Sequence, residues 1–295
     1  MPQTLAFPTP VSGIPTGFIS QIYGPGGTDL IVLTATSPTL TKDTYVTNCT
    51  IQGTGNLKPN GWKLFVSGTL TISATGSIND DGLPASGTSG GVGLAARNSI
   101  GGQSGAGGNG ILGTIANGGA GGGVVTSSSN SSGTLPNGGA GGAAFSGAQV
   151  GGAGGAATTG TQSIWGSWQS GRTAGATTFT GGGGGGSGSC SSTTLATSGG
   201  GGAGGGGVYI AAKNIVNLGR ISANGGNGAA AVGTNNASGG GGGGGGFVII
   251  VTDTVASAVG TIQANGGSGG AAIGTSLPGN TGSTGATCIV SFGGN

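Results

Sequence analysis

The sequence predicts an all-β chain in which short strands stack in the manner of a β-helix or solenoid, beside a lattice of polyglycine II helices. Three observations predict it. Glycine supplies 80 of the 295 residues and is gathered into blocks, among them Gly181–Gly186, Gly199–Gly202, Gly204–Gly207 and Gly239–Gly246. The tracts between blocks alternate apolar and polar residues and are rich in Thr, Val and Ile, which is strand patterning. One such tract, Leu64 to Gly82, recurs from Val208 to Gly226 and from Phe247 to Gly267. Each copy reads as a strand, a corner, a second strand ending in Gly-x-Ile, and an Asn/Asp-Gly exit into glycine.

Glycine plus proline at this level, without a strict period, is the composition of disordered chains. Disorder, however, goes with high charge and few β-branched residues, whereas this chain is 4% charged and 34% hydrophobic. Fixing a residue costs about 1–2 kcal/mol of backbone entropy, and most for glycine. A dense array of extended chains offsets that cost. In the polyproline II conformation the amides point outward in three directions, and without Cβ atoms neighbouring chains approach closely enough to exchange N–H···O bonds. Collagen uses the same helix with glycine at every third position. This chain has neither that period nor the proline, so separate traverses are expected, the eight residues Gly239–Gly246 spanning ~25 Å.

Residues 1–28 carry Pro2, Pro8, Pro10, Pro15 and Pro25 and read as an extended arm lying on the body or on another subunit. Residues 29–82 form a β-stranded opening segment, built on Asp29-Leu-Ile-Val-Leu, Tyr45-Val-Thr-Asn-Cys-Thr-Ile and Trp62-Lys-Leu-Phe-Val. Residues 83–295 are the glycine-rich body. Units that cannot bury a face alone but can stack mark a solenoid, and Cys288-Ile-Val-Ser-Phe292 closes the stack. If consecutive glycine segments run antiparallel, the tracts between them collect at the two ends of the lattice. Loops on a rigid scaffold are where binding resides.

Acid–base chemistry has little to work with. The chain lacks His and Glu, and its carboxylates are Asp29, Asp43, Asp80, Asp81 and Asp253. Asp80-Asp81 is the single cluster. Adjacent strand residues face opposite ways, and Asn79-Asp-Asp-Gly82 sits where a turn is expected, so turn chemistry is assigned there. A Ser or Cys nucleophile would lack a His partner, and no cofactor or metal motif is present. Cys49, Cys190 and Cys288 are too far apart for a metal pair and are expected to be small buried residues. The net charge of +2 has no basic cluster, which argues against nucleic acid. Phe247–Val251 is far short of a membrane span, and the stretch after Met1 has no secretory pattern. The longest insertion between glycine blocks holds Trp165, Trp168, Arg172 and Phe179. They form either a local core under a long loop or a recognition surface, since Trp and Arg make effective anchors.

Alternating glycine blocks and short loops over residues 83–295 resemble the distal tail-fibre adhesins of T-even-like bacteriophages. The run from Leu40 through Ile78 is similar to the β-helical start of many glycine-rich phage virion proteins. The resemblance implies a non-enzymatic, surface-exposed virion protein made in the host cytoplasm. It would bind a host surface receptor or polysaccharide through loops, contact other virion proteins through the arm, and form a homotrimer. A capsid decoration or head fibre, and a polysaccharide-degrading tailspike using Asp80 or Asp81, are the alternatives. An ice-binding bundle would need a regular Gly-x-x period and a flat apolar face, and a Gly-Gly-Ala mycobacterial surface protein a leading domain; neither is read here.

Overall fold

The computed structural model describes residues 3–6, 22–94, 100–112, 116–122, 131–134, 149–155, 159–162, 179–190, 196–257 and 260–292. Two parallel sheets form its spine. The main sheet runs in the order Gln3–Ala6, Ala286–Ser291, Phe247–Thr252, Gly207–Asn217, Lys63–Ile72, Cys49–Ile51 and Leu30–Val32. Thr44–Val46 and Thr254–Ser257 flank parts of the two longest strands. The second sheet stacks Thr261–Gln263, Arg220–Ser222, Ser77–Asn79 and Asn56–Leu57, also all parallel. The chain visits the main sheet first and the second sheet next at each level, and both sheets keep the same level order. The three copies of the sequence repeat lie on successive levels, with Ile78, Ile221 and Ile262 in register.

Strand alternation explains the packing. Leu64, Val66, Val208, Ile210, Val248 and Ile250 point between the sheets, where they meet Ile72, Ile78, Ile215 and Ile221. The intervening residues Phe65, Tyr209, Phe247 and Ile249 point the other way and are buried as well, under Ile22, Tyr23 and Ile100. A parallel sheet covered on both faces needs apolar residues at every position, hence the unbroken Phe247-Val-Ile-Ile-Val. Tyr45 stacks on Phe65 with ring centroids 4.7 Å apart. The Tyr23 hydroxyl donates to Asp253 Oδ1 at 2.6 Å. The described parts of the arm therefore lie on the body: Gln3–Ala6 extends the last level and Ile22-Tyr23 covers the aromatic face.

The glycine segments belong to neither sheet, and their hydrogen bonds repeat every three residues. In the segment 181–189, the N–H groups of Gly182, Gly185 and Gly188 donate to Gly205, Gly202 and Gly199, while those of Gly184 and Ser187 donate to Gly122 and Gly119. Its carbonyls at Gly183, Gly186 and Ser189 accept from Gly244, Gly241 and Ser238, and those at Gly182 and Gly185 accept from Gly105 and Gly108. Gly152 and Gly155 donate to Ser187 and Gly184. One segment thus binds five neighbours, and every residue from 181 to 190 is buried. A Cβ at Gly201 would overlap the Gly185 carbonyl oxygen, and one at Gly243 that of Ala203.

The outer segments differ in one respect. Along 264–271, Ala264, Gly267 and Gly270 are buried while Asn265, Ser268 and Ala271 are exposed. The same phase exposes Asn117 and Ala120, Ala106 and Asn109, and Val150 and Ala153. These segments therefore do carry a period of three, Gly-Gly-x, that sequence analysis did not recognise. The central runs mask it, because a segment enclosed on all sides has no outward position at which a side chain fits.

Two predictions follow from this packing. Gly201→Ala or Gly243→Ala forces a Cβ into main chain that cannot move aside, and is expected to cost at least about 2 kcal/mol. Ser268→Ala, on an outward position, stays within about 0.5 kcal/mol, and urea midpoints compare them. The second concerns pH. Burial raises the Cys49 thiol from 9.0 to about 12 and raises Cys288. Burial, then the bond to Asp253, raises the Tyr23 phenol above 10.0, and burial does the same for Tyr209. These groups keep their protons longer when folded, so their stabilisation is complete below the unfolded values and is lost as pH rises. Lys63, lowered by burial against the pull of Asp43, acts in the opposite sense, one group against four. Stability measured across pH should fall from about 9 upward.

Candidate functional site: the loop end of the glycine lattice

From the second sheet the chain leaves into the lattice, reverses, and returns to the main sheet at the next level. The described reversals collect at the end away from the sheets. There Ala116, Cys190, Ala237 and Ile273 are joined in a row of antiparallel bridges. Ala196–Thr197 pairs with Val232–Gly233, and Leu112 bridges to Thr197 on the other side. A small core of Cys190, Ala196, Ala231 and Ala237, flanked by Ile111 and Ile273, fixes these turns. Residues directly opposed across antiparallel strands share a face, so Leu112, Thr197 and Val232 form one row. Leu112 is 73% and Val232 56% exposed. Leu277 is exposed in the next turn, where the Asn236 Oδ1 accepts the Thr275 N–H at 3.0 Å and Gly274 takes a φ of +64°.

Among the described residues this end presents aliphatic, hydroxyl and amide groups. The sequence carries no charged residue from 221 to 252 or from 254 to 295, and none from 98 to 171 or 173 to 212. Sequence analysis placed binding on loops but did not single out Leu112, Val232 or Leu277. Lone aliphatics in Gly/Ser/Thr tracts carry no periodic signal, and only the strand pairing shows which of them meet.

Trp165, Trp168 and Arg172 fall outside the described residues. Phe179, a backbone position in the strand Phe179–Thr180, pairs in parallel with Gly101. Its place is at the sheet side of the lattice, where segments 100–110 and 179–190 set out together. Phe179 is thus at the opposite side from the reversals above.

Asp80 and Asp81 both serve the main chain. Asp80 is 6% exposed; its Oδ2 accepts the Gly207 N–H at 3.0 Å and its carbonyl accepts that of Gly206 at 2.8 Å. Asp81 faces the other way: Oδ1 accepts the Asn224 N–H at 2.7 Å, and Oδ2 accepts the Ser222 hydroxyl at 3.1 Å beside Arg220 at 3.3 Å. The pattern continues upward, the Asn224 Oδ1 accepting the Asn265 N–H at 2.8 Å and the Asn227 Oδ1 accepting that of Ser268 at 2.9 Å. The Asp/Asn-Gly exits are therefore one ladder running through three levels. Cys49 and Cys190 are buried as expected, whereas Cys288 is half-exposed on the strand Ala286–Ser291, where it pairs with Gln3 of the arm. Among the described residues no group of three or more His, Cys, Asp or Glu could hold a metal ion, and no helix is long and apolar enough to cross a membrane.

Asp81→Ala removes the acceptor of the Asn224 amide and should cost about 1–3 kcal/mol. The Arg220 pair, 42% exposed on the arginine side, adds little to that. Asp81→Asn keeps the acceptor and should recover most of the loss in the same denaturation assay.

No protein-family model matches this chain, and neither a curated protein nor a solved structure is found to match it.

Proposed function

We propose that this chain is a non-enzymatic structural protein of a bacteriophage virion, exposed on the particle, that binds a host surface receptor through loops carried on a rigid glycine scaffold. The two level-matched sheets are read as coils of a β-solenoid, and the three-residue hydrogen-bond period as polyglycine II. One observation carries the functional reading: the described reversals of the lattice gather at one end, on segments locked to their neighbours by main-chain bonds. Such a base holds loops in place before a partner arrives, so little ordering entropy is lost on binding. The absence of charge suits a neutral glycan or an uncharged protein surface. Attachment to the particle, and assembly as a trimer, are assigned to the N-terminal arm. Placement on the head as a decoration protein remains the second reading, because the same durable surface would serve there.

Antibody labelling of intact particles and binding of the purified chain to host cells test this together. Tail labelling with cell binding is the expected result. Leu112→Asn with Val232→Asn should weaken binding at least tenfold, about 1.4 kcal/mol, without changing the unfolding midpoint. Trp165→Ala with Trp168→Ala reports separately on the aromatic tract. Head labelling without cell binding selects the decoration reading, and release of reducing ends from host polysaccharide selects the tailspike. Absence of label from any particle removes the virion assignment.

A further inference from the structure

Six Asn-Gly pairs lie among the described residues, at Asn60, Asn109, Asn117, Asn224, Asn227 and Asn265. Asn-Gly is the pair most open to spontaneous ring closure, because no Cβ shields the glycine nitrogen. The reaction needs two freedoms. The glycine N–H must be able to ionise, and the asparagine Cγ must swing onto that nitrogen.

In four of the six pairs the lattice removes both freedoms. The glycine N–H groups of Gly110, Gly118, Gly225 and Gly228 donate to carbonyls of Thr88, Val150, Asn265 and Ser268 at 2.7, 2.9, 2.8 and 2.9 Å. The preceding asparagines are tied too. Oδ1 of Asn109, Asn117, Asn224 and Asn227 accepts an N–H from Gly90, Val150, Asn265 and Ser268 at 2.9, 2.8, 2.8 and 2.9 Å. A fifth pair, Asn60-Gly61, is set in a left-handed turn with φ of 55° and 76°, and Gly61 is buried. Asn265 is the exception. It is exposed, its side chain holds no N–H of a further level, and the Gly266 N–H donates to nothing among the described residues.

We infer that Asn265 is a deamidation site of the folded protein, the exposed Asn-Gly pair among the described residues in which neither the asparagine side chain nor the glycine N–H is tied. The Gly266 nitrogen attacks Asn265 Cγ, forming the new C–N bond of a succinimide. The Cγ–Nδ2 bond breaks, and ammonia leaves with the proton lost from Gly266. Water then opens the ring at either carbonyl, giving aspartate or isoaspartate. Both products place a carboxylate at the top of the column that runs through Asn224 to Asp81. Isoaspartate also lengthens the main chain by one carbon, which throws Gly267 and Gly270 out of step with their acceptors Gly243 and Gly240. The inference is independent of the proposed function.

The test is position-resolved peptide mapping by mass spectrometry of the intact, folded chain held in mildly alkaline buffer, with a parallel sample in concentrated urea. Folded protein should convert Asn265 about 30-fold faster than Asn224 or Asn227, the rate equivalent of two ordinary hydrogen bonds. In urea the three rates should converge. Asn265→Gln should remove the dominant product among the described Asn-Gly positions of the folded sample and leave the urea rates of Asn224 and Asn227 unchanged. Equal rates at the three positions in the folded protein, or an inert Asn265 that reacts only in urea, would overturn the inference.

Discussion

The approach of one main chain to another, closer than any Cβ would allow, is the constraint on which this molecule rests. In the central segments glycine amides find carbonyl partners at 2.7–3.0 Å on three sides, as Gly200, Gly201 and Gly202 do with Gly87, Gly108 and Gly241. Each such bond is worth only about 1 kcal/mol net, while ordering each glycine costs about 1–2 kcal/mol. Hydrogen bonding alone therefore does not hold the lattice. Dense contact between bare backbones adds dispersion and Cα–H···O attraction at every residue. The remainder has to come from the sheets, whose buried Ile, Leu, Val and aromatic side chains contribute about 1.5–3 kcal/mol apiece.

The sheets can stabilise the lattice because the two share one repeat. Stacked strands lie ~4.8 Å apart, and each level hands that spacing to the segment that leaves it. The handover is visible in the donors between levels. Ala223 and Gly225 bond to Gln263 and Asn265, two residues apart, and then Gly228 and Ala231 bond to Ser268 and Ala271, three apart. Asp80 and Gly82 followed by Ala85 repeat the change one level below, on Ser222, Asn224 and Asn227. When the period lengthens, one N–H falls out of the column and faces no carbonyl. The Asp/Asn side chain of the preceding level accepts it, which is the physical work of Asp81 and Asn224. A short acceptor is needed at that point, and a glycine directly after it.

Much of this was legible in the residues. Blocks of glycine between β-branched tracts led to strands plus a main-chain lattice, and the Gly-x-Ile and Asn/Asp-Gly signatures marked the ends of levels that do stack in register. The turn assignment at Asp80-Asp81 pointed to main-chain service, but not to which main chain each carboxylate serves, because their partners are 127 and 143 residues away in sequence. The order of the segments in the lattice was not legible at all. Glycine blocks are interchangeable in sequence, and only the Gly-Gly-x phase distinguishes an outer from an enclosed one. The row of Leu112, Thr197 and Val232 depends on that order, so no reading of local pattern could have brought the three together.

The same constraint separates what can change from what cannot. Most lattice bonds are made by main-chain atoms, so a side chain at an outward position leaves them intact unless it is one of the asparagines that accept a neighbouring N–H. At an enclosed position even a methyl group collides with a carbonyl. Variation is thereby confined to the faces and the loop end, while the frame beneath stays the same. The frame nonetheless limits the loops. Ala116, Cys190, Ala237 and Ile273 must remain small or well packed to keep their bridges, and the loops between them are short where segments reverse onto adjacent neighbours. A recognition surface built this way would change partners by substituting side chains on a fixed outline. It would not do so by remodelling the backbone, since any shift along a segment must move by whole steps of three residues to recover its hydrogen bonds.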